Sequence, residues 1–315
     1  MDRSVTRMTR RECLTIIAGA AAATLAPTLC RSEDGKVALR VALSVETLAG
    51  ANVSDARAAY RIWLRELYGP LGRVTLFPAQ EIFIPSEEMI RVVRQGTLDC
   101  YGVTALEFAK VDDLSNPDSL VIQSDQVDGI EYVLLVYNNS PFKEVSDLRG
   151  AHVVSYLHPS MVLLPAWLGT MLAANNLPPA EQFFASHKRI GSLNQVVLPV
   201  FFRRVDAACM TRRCWETAAE LNPQLGRDLR AVAVSPKLIP IIFAFRNSTK
   251  ASARKALLDS IQRIYSNPTG QQIVALFQSP GLAVKPVSVM KSTLELVRQF
   301  ERLPAQQPHS RKGLA

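Results

Sequence analysis

The sequence predicts an α/β protein of two lobes, each a mostly parallel sheet with helices on both faces. Three observations carry this. Strand-like and helix-like stretches alternate in the order strand, loop, helix, strand, helix, strand, which builds parallel sheets with helical crossovers. The same order returns in the second half of the chain. The third strands of the two sets can be laid over one another. Residues 96–104, Gly-Thr-Leu-Asp-Cys-Tyr-Gly-Val-Thr, match residues 203–211, Arg-Arg-Val-Asp-Ala-Ala-Cys-Met-Thr, each with an Asp at its start and a Thr five residues later. A chain of 315 residues is long enough to bury two cores.

In the first set, residues 37–44 alternate and are rich in Val and Leu, the pattern of a strand. A polar turn over 45–53 follows. Ser54 is placed to cap a helix over 55–68 with an apolar face at Ala58, Ile62, Leu64 and Leu67. Residues 74–78 read as a second strand. Ser86 is placed to cap the next helix, whose first turn holds Glu87 and Glu88 where the helix dipole favours negative charge. That helix ends near Gly96, and a third strand runs over 98–103.

The second set repeats this with a strand at 151–155, a helix at 161–175 broken or begun at Pro165, and a strand at 182–186. A helix from Ser192 to about 203 and a strand at 205–210 complete it. Between the sets lie two apolar stretches, 131–137 and 230–235, the latter continuing to 241–245. They predict a discontinuous first lobe, 37–138 with 236–303, and a second lobe over 139–235. Helices near 251–266, 269–277 and 288–302 pack back on the lobes. The tail 304–315 is polar, carries two prolines and is expected to be disordered.

Residues 1–30 have another character. Thr9-Arg10-Arg11-Glu12-Cys13-Leu14 is a twin-arginine segment, followed by an Ala-rich apolar run over 16–26. Basic region, short apolar run and small residues form an export signal, and the paired arginines make it the Tat type. The run is shorter than the ~20 apolar residues a membrane span needs. Cys30 follows Leu29 instead of a small residue, which argues against lipidation. The mature chain is therefore expected to be periplasmic.

Net charge is +8, and residues 1–30 hold four arginines against Asp2 and Glu12, so their removal leaves +6. The basic residues are scattered and form no stripe interleaved with aromatics, which argues against nucleic-acid binding. A modest positive bias steers an anionic ligand inward. The five cysteines include no CxxC pair and the four histidines no HxH or HExxH cluster, which argues against a zinc site. Cys100 and Cys209 read as small core residues. A Cys209–Cys214 bridge suits an oxidising compartment but fits poorly across a strand-to-helix junction. No cofactor motif is present.

Ligands of open parallel sheets bind outside the carboxyl ends of the strands. The residues placed there are Ser44, Glu46, Thr47, Tyr101 and Thr104 in the first lobe. In the second they are Ser155, Tyr156, His158, Ser160, Ser192, Asn194, Thr211 and Arg212. Ser160 and Ser192 each precede a helix, where free backbone N–H groups and the helix dipole favour an anion. Each serine taken alone is more often a plain N-cap than a ligand group, so their number in one cleft carries the reading. His158 reads as an anion donor or as a loop residue beside Pro159, and Arg212 as a ligand partner or a solvated residue at a helix start.

Five segments stand out in order along the chain: Ser54-Asp55-Ala56-Arg57, Glu131-Tyr132-Val133-Leu134-Leu135-Val136 and Asp147-Leu148-Arg149-Gly150-Ala151-His152-Val153-Val154, then Gly191-Ser192 and Val205-Asp206-Ala207-Ala208. In this order they resemble the phosphate/phosphite/phosphonate-binding (PhnD-like) family of type 2 periplasmic binding proteins. The resemblance spans roughly residues 37–280. It implies a Venus-flytrap fold, a small oxyanion bound in the cleft, and delivery to an ABC permease in the cytoplasmic membrane. The duplicated lobes and two crossovers lead to the expectation of closure about a hinge, and the lack of a Ser-His-Asp or Cys-His spacing to the expectation of no catalysis. A monomer is expected.

The chain departs from that family in three places. His158-Pro159-Ser160-Met161 replaces a Ser/Thr run ending in Gly, and Pro159 removes a backbone donor. Leu193 follows Ser192 where the family often has His. Thr211, then Arg212, stands where the family carries an acidic residue that reads a ligand amine, which disfavours an aminoalkylphosphonate. A binding protein presenting its ligand to a kinase or chemoreceptor is the alternative reading. An enzyme on the same fold is a further one, with Cys100, Cys209 and His158 its only candidates for a nucleophile or base.

Overall fold

The computed structural model describes residues 37–48, 52–68, 74–265, 271 and 281–303. The expected export signal, most of the helix over 269–277 and the tail lie outside them.

The first sheet has six strands: β1 (Val37–Ser44), β2 (Val74–Ile84), β3 (Cys100–Thr104), β4 (Leu120–Gln123), β10 (Ile241–Phe245) and β11 (Leu282–Lys285). Their order is β11-β4-β10-β3-β1-β2. β1 runs parallel to β2 and β3, while β10 is antiparallel to β3 and β4, and β11 to β4. The second sheet holds β5 (Tyr132–Tyr137), β6 (His152–Tyr156), β7 (Ser186–Ile190), β8 (Ala207–Thr211) and β9 (Leu229–Val234). Its order is β7-β6-β8-β5-β9, with β6 parallel to β7 and β8, and β5 antiparallel to β8 and β9.

The expected two-sheet α/β architecture is therefore present, with one strand placed differently. Residues 132–137 were expected in the first lobe. Instead Tyr132–Val136 pair with β8, so the chain leaves the first sheet between β4 and β5, earlier than residue 138. The chain passes from the second sheet to the first between β9 and β10. The strand expected at 182–186 lies one element later, at β7, because Gln182 belongs to the short helix α5 (Ala180–Phe183).

The other helices are α1 (Val53–Tyr68), α2 (Ser86–Gln95), α3 (Ala105–Phe108), α4 (Leu164–Ala174), α6 (Leu193–Phe201), α7 (Arg212–Leu221), α8 (Pro223–Asp228), α9 (Ala251–Tyr265) and α10 (Lys291–Glu301). Two expected caps differ. Asn52 Oδ1 accepts from the amides of Ser54 and Asp55, and Pro85 occupies the N-cap of α2. Gly96 closes α2 in the left-handed region at φ 76°.

Strands β3 and β8 are buried along their whole length. Alternation sends successive side chains to opposite faces. Tyr101 and Val103 of β3, Ala207 and Cys209 of β8, and Tyr132, Leu134 and Val136 of β5 share one core with Trp167, Leu168, Leu294 and Val297. Cys100 packs in a second core with Leu39, Val41 and Phe245, and Ala208 and Met210 in a third with Val133 and Val196. One core thus spans both lobes, and each lobe has a private one.

The duplication extends to hydrogen bonds. Asp99 Oδ2 accepts from Arg40 N at 2.8 Å and Asp206 Oδ2 from His152 N at 2.7 Å, each tying its third strand to its first. At the other end Thr104 Oγ1 accepts from Glu107 N at 3.4 Å and Thr211 Oγ1 from Cys214 N at 3.1 Å, capping α3 and α7. The two Thr–x–x caps and two Asp ties mark equivalent positions in two copies of one unit.

Candidate functional site

The carboxyl ends of the parallel strands form two rims. In the first lobe, β1 and β3 are adjacent, with Leu43 opposite Gly102, so the turn after Ser44 lies beside the start of α3. In the second, β7, β6 and β8 are adjacent, with Tyr156 opposite Ile190 and Ser155 opposite Cys209. Three segments therefore leave that edge side by side: 157–160, 191–194 and 211–214. Both rims meet the crossovers. Ala105 N donates to Pro240 O and Arg212 N to Glu131 O, each at 2.8 Å. The crossovers in turn pair through Ile130 and Leu238, with N–H to O distances of 2.8 and 2.9 Å. Gly129, at φ 76°, permits this approach, because a Cβ there would stand 2.8 Å from Lys237 Cβ.

On the first rim, Ser44 is fully buried and its hydroxyl donates to Glu107. Glu107 is 3% exposed and also accepts from Thr104 N at 2.8 Å and Thr104 Oγ1 at 2.9 Å. Glu46 is exposed and its N–H donates to Ser44 Oγ at 3.2 Å; Thr47 Oγ1 donates to Ser44 O at 2.6 Å. Thr104 is a capping residue. Tyr101 departs from the expectation. It is fully buried in the shared core, with its hydroxyl 2.6 Å from Ser115 Oγ, so it does not stand on the rim. Burial pushes its phenol up to about 12, against the opposing Ser115 hydrogen bond.

On the second rim, the tyrosine and histidine rings of Tyr156 and His158 stack with centroids 5.2 Å apart. His158 caps a single turn, Pro159–Met161, through Nδ1, which accepts from Ser160 N at 3.2 Å and lies 2.8 Å from Ser160 Oγ. An accepting Nδ1 places the ring proton on Nε2. Burial holds the His158 pKa below the usual range and raises that of Tyr156. Tyr132 secures the turn from below, its hydroxyl donating to Ser160 O at 2.6 Å.

Ser192 occupies the N-cap of α6, yet its hydroxyl makes no cap bond, and both Ser192 and Asn194 are exposed. No atom beyond its chain neighbours lies within 4 Å of where a Cβ on Gly191 would stand. Thr211 spends its hydroxyl as the cap of α7. Arg212 pairs with Glu131, Nε to Oε2 at 2.6 Å, and the pair borders a cavity of about 500 Å³ with Asp125, Glu216 and Lys237. A groove of about 610 Å³ lies along α10 and is lined by none of the rim residues.

Residue-by-residue reading missed Glu107, Glu131 and Tyr132. The first was legible: Thr104-Ala105-Leu106-Glu107 is a capping-box sequence. The other two act on partners 81 and 28 residues away, which no local pattern encodes. The three described cysteines are free, so Cys209 and Cys214 are not bridged here.

Residues 55–284 match the family model described as ABC transporter, phosphonate, periplasmic substrate-binding protein. The chain belongs to this family. Among solved structures with the same fold is a binding-protein component of an ABC phosphonate transporter from Pseudomonas aeruginosa. It is 14% identical, with 84% of this chain and 87% of that one covered and a TM-score of 0.52. PhnD1 from Prochlorococcus marinus, in complex with methylphosphonate, is 18% identical over 84% and 99% of the two chains, with a TM-score of 0.53. A Xanthomonas citri protein bound to chloride is 15% identical over 84% and 98%, also at 0.53. No curated protein matches the sequence. The two-sheet architecture of this phosphonate-family binding protein is thus that of the type 2 periplasmic binding fold.

Proposed function

We propose that this phosphonate-family binding protein captures a small phosphorus oxyanion between its rims and seats the charge on the second lobe. The observation that carries the reading is an imbalance of unspent donors. On the first rim, the hydroxyls of Ser44 and Thr104 are consumed by a buried carboxylate. On the second, the Ser192 hydroxyl makes no cap bond at the start of the nine-residue helix α6. The Nε2–H of His158 has no partner among the described residues, and its loop is adjacent to that of Ser192 through the β6–β7 pairing. Helix N-termini and neutral donors hold oxyanions without adding a formal charge. The methylphosphonate in the Prochlorococcus marinus relative supports the ligand class.

Thr211 and the paired Arg212 offer no carboxylate for a ligand amine, which favours a phosphonate, phosphite or phosphate without a cationic tail. Ligand bridging the rims draws the lobes together about the paired crossovers, and a permease reads the closed form. The chain works as an exported periplasmic monomer, its twin-arginine segment removed.

The test is thermal shift of the mature protein against phosphate, phosphite, methylphosphonate, aminoethylphosphonate, sulfate and acetate. A ligand that binds only the native state raises Tm. A selective rise with one tail-free phosphorus oxyanion is expected, and it shrinks in Ser160→Ala and Ser192→Ala. A silent panel, or unchanged affinity in both variants, refutes the reading.

A further inference from the structure

We propose that Glu107 is a positioning residue for ligand capture: it holds the first rim in the shape that closes over an anion already seated on the second lobe. This rests on the capture reading above. Glu107 is 3% exposed, and buried carboxylates are retained only when their acceptors are filled. Its partners are neutral: the Ser44 hydroxyl on one oxygen, and the Thr104 N–H and hydroxyl on the other. Three donors are thus directed at one carboxyl group.

The network reaches the ligand-facing turn. Ser44, held by Glu107 across 63 residues of sequence, takes the Glu46 N–H on its Oγ and the Thr47 hydroxyl on its carbonyl. The turn Val45–Leu48 is thereby fixed from one residue, and that residue from Glu107.

In the duplicated lobe the same threonine cap forms without a carboxylate. The equivalent helix α7 is capped by Thr211 alone, and the position matching Glu107 is Cys214. The cap is common to both copies, and the buried charge is peculiar to one. A negative first rim disfavours initial docking of an anion there and leaves that rim the role of closing second.

The assay is stopped-flow binding of methylphosphonate, phosphite and phosphate to the full mature chain, with Tm followed in parallel. Glu107→Gln and Ser44→Ala are each expected to raise koff about tenfold, the size of a lost charge-assisted hydrogen bond, with kon nearly unchanged. The double variant is expected to be little worse than either single one, because both cut the same link. A purely structural role would lower Tm without this division between koff and kon. Wild-type binding with koff unchanged in both variants, or a loss confined to kon, overturns the proposal alone. A wild-type chain that binds none of the three anions overturns the capture reading and this proposal together.

Discussion

Replacing Gly169 by Ala in α4 tests whether α10 is packed against the second lobe. Intrinsic helix propensity favours Ala over Gly by about 1 kcal/mol, so in isolation the change stabilises. The structure opposes it. A Cβ at Gly169 would stand 2.9 Å from Phe300 Cε2, 3.1 Å from Cδ2 and 3.6 Å from Leu303 Cδ1. Phe300 belongs to α10, which also reaches the first lobe: Thr293 Oγ1 accepts from Ile239 N at 2.9 Å, and Arg298 pairs with Asp112 at 3.3 Å. An aromatic ring held by a helix tied at both ends yields poorly, and overpacking costs about 1–3 kcal/mol. The propensity gain is therefore cancelled or reversed, leaving a net loss of about 0–2 kcal/mol. In a Phe300→Ala background the obstruction is gone and the same substitution regains its gain of about 1 kcal/mol. Urea unfolding followed by far-ultraviolet circular dichroism, run as a double-mutant cycle, should give a coupling of about 1 kcal/mol or more. If Gly169→Ala stabilises by its full propensity term and adds independently to Phe300→Ala, the packing of α4 on α10 is refuted.

Four shorter predictions rest on the same structure. Thr211→Ala removes the hydroxyl that caps α7 and should cost about 1 kcal/mol, measured by the urea midpoint. Asp99→Ala and Asp206→Ala each remove a hydrogen bond that the carboxylate accepts from a backbone N–H of the neighbouring strand, but Asp99 also pairs with Arg40 at 3.1 Å. That pair is partly exposed, so the extra loss at Asp99 should be no more than about 0.5 kcal/mol; a larger loss at Asp206 would refute the equivalence of the two ties. Gly129→Ala forces φ 76° and a 2.8 Å approach to Lys237 Cβ, so a Tm drop equivalent to about 1–3 kcal/mol is expected. The depressed pKa of His158 means that the unfolded chain binds its proton first as pH falls. Its contribution to stability is therefore full above the usual histidine range and is lost as pH drops through the lowered folded value. A His158→Gln variant should flatten the stability profile between about pH 7 and 5.

Much of this fold is legible in the chain because the signals are local. Residues 37–44 read as a strand and form one, and Gly96 ends α2 where a left-handed residue is needed. The overlaid segments ending in Thr104 and Thr211 proved to be equivalent down to their hydrogen bonds. Other readings failed for identifiable reasons. Tyr101 sits in a strand buried on both faces, where alternation gives no sign of which neighbour faces a rim and which a core. Residues 132–137 are apolar enough to serve either sheet, and only pairing with β8 and β9 assigns them to the second.

Periodicity, caps and the repeat depend on residues within a few positions of each other, so the sequence alone determined the element types, the two-lobed α/β class and the loops that carry candidate ligand groups. Tertiary structure decided how those groups are used. Ser44 meets Glu107 and Arg212 meets Glu131 only after strands distant in sequence have paired, while the Ser192 hydroxyl makes no cap bond. Such partnerships depend on which strands become neighbours and in what register, and no short-range rule of backbone propensity encodes that choice.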